Sequence, residues 1–281
     1  MIRIATDTGS NLPQNIIDEY RIVVVSGTMS FDTESILEYP DLTNADFYRR
    51  LTASKTLPVG HDPGILIFKR EYGRILAESP GASIVSVHVS EALGTAITAA
   101  RQAAALQPTV TIRLFDTRSV SFGEGLLVWE AARLARAGKT VDEIIQRLTY
   151  LRDRTRLYVA VDTLEYLSKG GRVGPAARFV GGLLDVKPIL TLKDGLVQPH
   201  SQHRTRSRAL SELKQLVVAE CKGAKGLRMG VMHAMCPDDA RQLADELRRE
   251  LQPEELALAE IGPAVGLNTG PGALGVTWFS D

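Results

Sequence analysis

Cysteine is nearly absent from this sequence. Its 281 residues include two cysteines, Cys221 and Cys236, too few for a disulfide framework in a chain of this size. Two reduced thiols are typical of a cytosolic protein. His233 lies three positions before Cys236, but no second pair at ligand spacing accompanies them. The sequence therefore predicts neither a metal site nor a cofactor.

Long hydrophobic runs and an excess of either charge are also lacking. Apolar runs such as Ile22–Val25 and Ile84–Val89 last only a few residues, whereas a membrane span needs about 20. Lys plus Arg and Asp plus Glu each number 33, so no net charge draws the chain to nucleic acid. Met1–Ala5 has the pattern of a strand, not of a signal peptide. We expect a cytoplasmic protein with no transmembrane segment, and transient membrane contact stays open.

The composition itself, 44% apolar and 23% charged, is that of a globular protein. In the first half, β-branched runs alternate with amphipathic helical patterns, which indicates parallel βαβ units. The predicted strands are Ile2–Thr6, Ile22–Ser26, Ser83–Val89 and Val110–Phe115. The predicted helices are Phe47–Leu51, Ile65–Leu76, Ile97–Leu106, Leu126–Ala137 and Val141–Arg152. We assign residues 1–152 to an N-terminal α/β lobe.

The second half has a different pattern. Lys193–Gly195 is a hairpin turn that joins the predicted strands Val186–Leu192 and Leu196–Gln198, which predicts antiparallel pairing. The remaining predicted elements are the strands Leu157–Val161, Leu227–His233, Leu256–Ile261 and Gly275–Phe279 and the helices Ser207–Val218 and Pro237–Leu251. Residues 153–281 then form a C-terminal α+β lobe with a mixed or antiparallel sheet. The predicted fold class is α/β, with two lobes and a ligand in the cleft between them.

Asp7-Thr8-Gly9-Ser10 resembles the motif around the catalytic carboxyl of aspartic proteases. That chemistry needs two carboxyl groups about 3 Å apart that share one proton, and the sequence has no second motif of this type. We interpret the segment as a strand-to-loop turn whose Asp and Thr satisfy loop amides or face a ligand. No Ser, His and Asp in the order of a hydrolase triad is visible.

Two basic segments are candidate anion sites. Lys169 and Arg172 flank two glycines, and Arg204 and Arg206 follow the hairpin. A phosphate, a carboxylate or an acidic partner could bind there, although a solvated connector is the alternative. The Gly- and Pro-rich stretch from Ile261 to Gly275 is predicted as a rigid loop that meets a ligand through its backbone.

Taken in order, segments along nearly the whole chain resemble the DegV family of bacterial lipid-binding proteins. Each segment is weak alone, but their number and order make chance an inadequate explanation. The strongest is Val161–Arg172. The others are Thr6–Thr8 with Leu12-Pro13, Ser86–Ser90, Asp116-Thr117 with Gly123–Gly125, Leu184–Leu190, Asp194-Gly195, Arg204–Arg206, Gly262-Pro263 and Gly270–Gly275.

The resemblance implies a non-catalytic protein that holds a long-chain fatty acid between its lobes. The acyl chain would lie in an apolar tunnel, and hydroxyl groups and an imidazole would hold the carboxylate. Some members of the family present the acid to a separate fatty-acid kinase, so Lys169, Arg172, Arg204 and Arg206 are candidates for docking such a partner. The candidate ligand-binding residues are Thr8, Gly60, His61, Ser90, Gly94, Thr95, Asn268 and Thr269.

The head-group segments depart from the family pattern. The Thr-Ser segment expected near position 60 reads Gly60-His61-Asp62, no Ser precedes Gly94, and Asn268 stands where an imidazole is expected. His61, Thr95 and Asn268 could rebuild the clamp. Alternatively the ligand has a different head group, because Asp62 would repel a carboxylate. A third hypothesis is a hydrolase or transferase that uses Asp7, His61 and Asp62.

Overall fold

The computed structural model describes residues 1–179 and 186–281; Leu184 and Asp185 of the family-like segment lie outside them. The strands are β1 (Ile2–Asp7), β2 (Val23–Val25), β3 (Thr28–Phe31), β4 (Glu34–Leu37), β5 (Val59–His61), β6 (Ser83–His88), β7 (Ile112–Asp116), β8 (Arg156–Ala160), β9 (Lys187–Lys193), β10 (Leu196–His203), β11 (Arg228–His233), β12 (Glu255–Glu260) and β13 (Leu274–Phe279). The helices are α1 (Gln14–Tyr20), α2 (Asn44–Ala53), α3 (Ile65–Glu78), α4 (Ala96–Ala105), α5 (Phe122–Arg136), α6 (Val141–Arg152), α7 (Glu165–Lys169), α8 (Arg206–Cys221), α9 (Pro237–Leu251) and α10 (Pro263–Thr269), with 3-10 turns at Thr8–Ser10 and Gly174–Phe179.

A parallel sheet with the strand order β2-β1-β6-β7 is built from the first half of the chain. This confirms the predicted parallel βαβ arrangement. Ala5 of β1 pairs with Ser86 of β6, so the carboxyl ends of these strands, Asp7 and His88, lie beside each other. The edge of the sheet where β1 and β6 end is therefore where their polar side chains meet.

A mixed sheet with the order β10-β9-β8-β13-β11-β12 is built from the second half. Its pairs are antiparallel except for β11 with β12. The predicted hairpin is present: Asp194 and Gly195 both have positive φ, 52° and 79°, as a two-residue turn between antiparallel strands requires. The α/β fold class is thus confirmed.

Two features differ from the sequence-based prediction. A three-stranded antiparallel sheet, β4-β3-β5, lies in the half that was expected to be parallel only; its strands are three or four residues long, too short for a clear periodicity. The C-terminal stretch predicted as a loop contains α10. Pro263 begins this helix, where its missing N–H costs nothing, and Gly270, with φ of 70°, ends it.

Helix α5 joins the two halves because it packs against both large sheets, including β1 and β11. Phe122 at its start is fully buried, and a Cβ added to Gly230 of β11 would lie 2.0 Å from the Phe122 ring. The largest hydrophobic cluster accordingly includes residues of both halves. The division into lobes at residue 152 stays a prediction. Among the described residues, none of the helices is both long and apolar enough to span a membrane.

We expect Phe122→Ala to destabilise the whole molecule. Removing a fully buried phenylalanine costs about 3–5 kcal/mol of unfolding free energy, and this ring fills the space between α5 and β11. Urea denaturation checks the value, with Leu66→Ala, at a side chain that is 76% exposed, as the control. A loss no larger than that of the control would contradict the role assigned to Phe122.

Candidate functional site

A cavity of about 910 Å³, its open mouth included, lies between the two large sheets. Alternate residues of β8 and β9 point into it, because side chains of a strand alternate between its two faces. The aliphatic residues of its wall are Val89, Leu93, Val120, Leu157, Val159, Leu167, Leu190, Leu192, Val197, Ala264 and Val265.

Polar groups line the same cavity from other elements. They come from the end of β1, the loop after β4, the end of β5, the loop after α7 and helix α10. The polar side chains are Asp7, Thr8, Glu38, His61, Asp62, Arg172, Asn268 and Thr269. The cavity therefore offers a mainly aliphatic wall together with hydrogen-bonding groups, which suits an amphiphile.

Asp7 is held by three donors. Its carboxyl oxygens accept from the Gly9 amide at 2.9 Å, the Val89 amide at 3.2 Å and His88 Nδ1 at 2.9 Å. His88 Nε2 lies 2.7 Å from Ser86 Oγ. Ser86, His88 and Asp7 are thus hydrogen-bonded in the order of a hydrolase triad, which corrects the expectation that no such order exists. The sequence hid it because Asp7 lies on β1, the neighbouring strand.

The orientation of this triad does not suit catalysis, because its serine and histidine are buried away from the cavity. Ser86 and His88 are 0% exposed, and the Tyr72 hydroxyl donates to Ser86 Oγ at 2.9 Å. Only the Asp7 end lines the cavity. A substrate in the cavity would contact the Asp7 carboxyl group, which is already hydrogen-bonded. It would not reach the Ser86 hydroxyl, although the nucleophile of a hydrolase must contact its substrate. The network is therefore a support for the loop after β1.

Asp62 and His61 lie at the mouth with different surroundings. Asp62 Oδ2 accepts from the Thr95 amide at 2.5 Å and from Thr95 Oγ1 at 2.8 Å, so it fixes the start of α4. His61 is exposed. Although Asp7, His61 and Asp62 line one cavity, the imidazole that Asp7 contacts is that of His88.

Two further carboxyl groups were missed by sequence reasoning. Glu38 is 5% exposed and its Oε2 accepts from Thr8 Oγ1 at 2.7 Å; burial, with Asp62 and Asp7 nearby, raises its pKa to about 7. Glu124 of α5 is 0% exposed and accepts from Thr6 Oγ1 at 3.0 Å. Burial and then Asp7 raise the pKa of Glu124 well above its usual range. The sequence does carry a sign of Glu124, because a glutamate stands there among glycines and apolar residues. Glu38 belongs to no recognisable motif.

The structure brings together five of the eight ligand-binding candidates. Thr8, His61, Gly94, Asn268 and Thr269 line the cavity. Asn268 and Thr269 do so from helix α10 and not from a loop, and the Asn268 Nδ2 group donates to the Ala264 carbonyl at 3.2 Å.

The other three candidates contact the protein itself. Gly60 packs so closely that an added Cβ would lie 3.3 Å from Leu267. Ser90 Oγ donates to the Gly195 carbonyl at 2.9 Å and ties the first half to the hairpin. Thr95 is bound to Asp62. Their assignment as ligand contacts stays a prediction.

The four basic candidates are not equivalent. Arg206 donates to Asp162, Asp239 and the Gly272 carbonyl, so its charge is balanced within the fold. Lys169 pairs with Glu165 one helical turn away. Arg172 lines the cavity and donates to the Gly170 carbonyl at 2.7 Å. Arg204 is exposed, and its guanidinium has no ion pair among the described residues.

No group of three or more His, Cys, Asp or Glu side chains in residues 1–179 and 186–281 could hold a metal ion. The glycines at the start of α5 allow close packing. A Cβ at Gly125 would lie 2.6 Å from the Ser10 carbonyl oxygen, and one at Gly123 would lie 2.3 Å from Ser119 Oγ.

We expect Glu124→Gln to reduce the loss of stability that occurs as the pH rises above the unfolded-state pKa of a glutamate. A carboxyl whose folded-state pKa exceeds its unfolded value costs unfolding free energy as the pH rises above the unfolded value, and the cost levels off above the folded value. Urea denaturation of the wild type should therefore show a fall between pH 5 and pH 8. The variant should show a smaller fall, and Glu38, whose pKa is also raised, contributes to the fall that remains.

Glu254→Gln, at a side chain that is 59% exposed, is the control and should follow the wild type. Parallel pH profiles for Glu124→Gln and the wild type would mean that Glu124 is not the source of the effect.

Comparison with known proteins gives a consistent result. The family model described as "Uncharacterised protein, DegV family" matches residues 1–281. A DegV domain-containing protein of Streptomyces coelicolor is 34% identical, over 98% of this chain and 97% of its own. A DegV domain-containing protein of Halalkalibacterium halodurans is 30% identical, over 100% of this chain and 99% of its own.

Solved structures agree with these relatives. A DegV family protein from Thermus thermophilus, described for its fatty acid binding, superposes with a TM-score of 0.93 at 29% identity, covering 100% of this chain and 99% of its own. DegV from Bacillus subtilis, described as a fatty acid binding protein, gives a TM-score of 0.88 at 27% identity with the same coverage. With a family model that matches every residue and relatives that align from end to end, the chain belongs to the DegV family.

Proposed function

We propose that this protein binds a long-chain fatty acid in the cavity between the two sheets and carries it without changing it chemically. The observation that carries the proposal is the cavity itself, in which eleven aliphatic residues and a set of polar groups line the same space. Burying a methylene group stabilises a complex by about 0.8 kcal/mol. The wall alone could therefore supply most of the affinity for an acyl chain.

Two relatives above 25% identity support this proposal, because the Thermus thermophilus and Bacillus subtilis proteins are both described as binding fatty acid. Their chains align with this one along its full length. The cytoplasmic location inferred from the composition remains part of the proposal.

The polar groups supply partners for a head group. Asn268 lines the cavity and keeps one amide hydrogen besides the one that it donates to the Ala264 carbonyl, and a buried carboxyl oxygen left without partners would cost about 1–3 kcal/mol or more. Thr8 and Thr269 also line the cavity, but their hydroxyl groups donate to Glu38 and to the Val265 carbonyl. Thr95 is less available than expected, because its hydroxyl donates to Asp62. His61 can donate a ring N–H from the mouth.

A hydrolase or transferase that uses Asp7, His61 and Asp62 is less well supported. The Asp7 and Asp62 carboxyl groups already accept hydrogen bonds from the protein, and the Ser86 hydroxyl lies beneath the cavity surface. A carrier needs no activated nucleophile, which agrees with this arrangement.

The bound acid would be presented to a separate fatty-acid kinase through basic residues near the cavity. Arg172 lines the cavity, and Arg204 and Lys169 are exposed. Guanidinium groups suit phosphate and carboxylate partners because they donate in pairs.

We expect Arg204→Ala to slow acyl phosphate formation by a purified bacterial fatty-acid kinase with ATP, while the affinity for the fatty acid stays unchanged. Arg241→Ala, at a side chain that is 60% exposed on α9, is the matched control and should react like the wild type. Equal rates for both variants would remove Arg204 from the docking surface.

The affinity for fatty acids should rise with chain length. Because each buried methylene contributes about 0.8 kcal/mol, or about fourfold in Kd, saturated acids from octanoate upwards should bind progressively tighter until the chain fills the cavity. Isothermal titration calorimetry with delipidated protein measures this series.

Val159→Trp, which fills the cavity from β8, should abolish the dependence on length, whereas Leu196→Trp, at a side chain that is 42% exposed, should leave it intact. A flat series in the wild type would contradict binding by the apolar wall.

A further inference from the structure

The polar part of the cavity contains three carboxyl groups, those of Asp7, Glu38 and Asp62. A fatty-acid carboxylate placed among them would meet negative charge unless one of them carries a proton. Like charges close together disfavour the ionised form of at least one partner. Which of the three holds the proton therefore decides how the head group is recognised.

Two of the three carboxyl groups are occupied as acceptors. Asp7 accepts from two backbone amides and from His88 Nδ1. Asp62 accepts from the Thr95 amide and hydroxyl. Donors of the protein therefore already engage both oxygens of Asp7 and one oxygen of Asp62.

Glu38 differs in its surroundings. Its side chain is 5% exposed, and the donors that reach its carboxyl group are the Thr8 hydroxyl, at 2.7 Å from Oε2, and the Ala264 amide. The backbone of Glu38 is also held in place, because its amide donates to the Gly27 carbonyl at 3.1 Å, next to β3.

The charged groups around Glu38 come from several elements. Asp7 lies at the end of β1, His61 and Asp62 at the end of β5, and Arg172 follows α7. In the adjoining cleft, Glu38 is accompanied by Tyr39 and by Glu260 at the end of β12, and Glu260 accepts from Asn44. Four carboxyl groups against Arg172 and His61 make this environment acidic.

We propose that Glu38 is the residue that recognises the head group, by donating its own proton in a hydrogen bond to an oxygen of the fatty-acid carboxylate. The two carboxyl groups then share one proton, and Thr8 holds the other oxygen of Glu38. This inference rests on the proposed function and adds to it the ionisation state and the residue that select the ligand. Burial, which raises the pKa of Glu38 to about 7, keeps the proton available near neutral pH.

The affinity for a fatty acid should consequently fall as the pH rises above neutrality. If only the protonated form of Glu38 binds, the apparent Kd is the intrinsic Kd divided by the protonated fraction, which gives a rise of about 10-fold from pH 6 to pH 8. We would measure laurate and dodecan-1-ol by calorimetry at pH 6, 7 and 8, below the concentrations at which they aggregate. The alcohol can donate to an ionised Glu38 and should bind with similar affinity throughout.

The deciding variant is Glu38→Gln, whose amide donates without titrating and still accepts from Thr8. Its Kd for laurate should be the same at pH 6 and pH 8, and about 10-fold lower than that of the wild type at pH 8. Asp62→Asn is the matched variant at a second carboxyl of the cavity. It should keep the pH dependence, with its midpoint at lower pH, because Asp62 helps to raise the pKa of Glu38.

The outcomes separate the two proposals. A wild-type laurate Kd that does not change with pH, or a Glu38→Gln profile parallel to that of the wild type, overturns the role of Glu38 and leaves the carrier function standing. No binding of laurate or dodecan-1-ol at any pH overturns the carrier function itself. Urea denaturation of each variant at pH 6 and pH 8 establishes that all of them are folded.

Discussion

A buried carboxyl group must receive hydrogen bonds or keep its proton, and this constraint organises the centre of the molecule. Asp7 receives them from His88 and from two amides of the loops after β1 and β6. Those bonds fix the edge of the parallel sheet, where the cavity begins. Glu124 and Glu38 have fewer donors, and burial raises the pKa of both. Of these two glutamates, Glu38 lines the cavity and Glu124 does not, so Glu38 is the one placed to donate to a ligand.

The cavity lies where the two large sheets face each other, and α5 packs between β1 of one sheet and β11 of the other. The parallel sheet presents the polar ends of its strands, whereas β8 and β9 present alternate aliphatic side chains. Ser90 and Gly195 tie these two surfaces together. An amphiphile fits such a junction, since its chain and its head group need opposite environments.

Much of the fold could be predicted from the sequence because it follows from local patterns. The bounds of α6 and α9 agree with the prediction, since Thr140 caps the first and Pro237 begins the second. The strands β3, β4 and β5 were missed, because three or four residues carry too little periodicity. Helix α10 was taken for a loop, because its glycines and prolines were interpreted as turn signals.

The site could be predicted only in part. Thr8, His61 and Asn268 came from family resemblance, and all three line the cavity. The contact of Asp7 with His88 depends on two strands 81 residues apart in sequence, and neighbouring strands leave no trace in a motif. Glu38 lies in an unremarkable segment, and its significance arises only from burial beside Asp7 and Asp62. A side chain whose role depends on residues far away in the sequence can be recognised only from a three-dimensional structure.

The most direct test of the central claim is a crystal structure with a fatty acid that carries bromine at its methyl end. The anomalous signal locates the bromine, and the electron density locates the carboxyl group. We predict bromine among Leu157, Val159 and Leu190 and the carboxyl group within hydrogen-bonding distance of Glu38. Bromine outside the cavity, or a cavity filled only with solvent, would contradict the account.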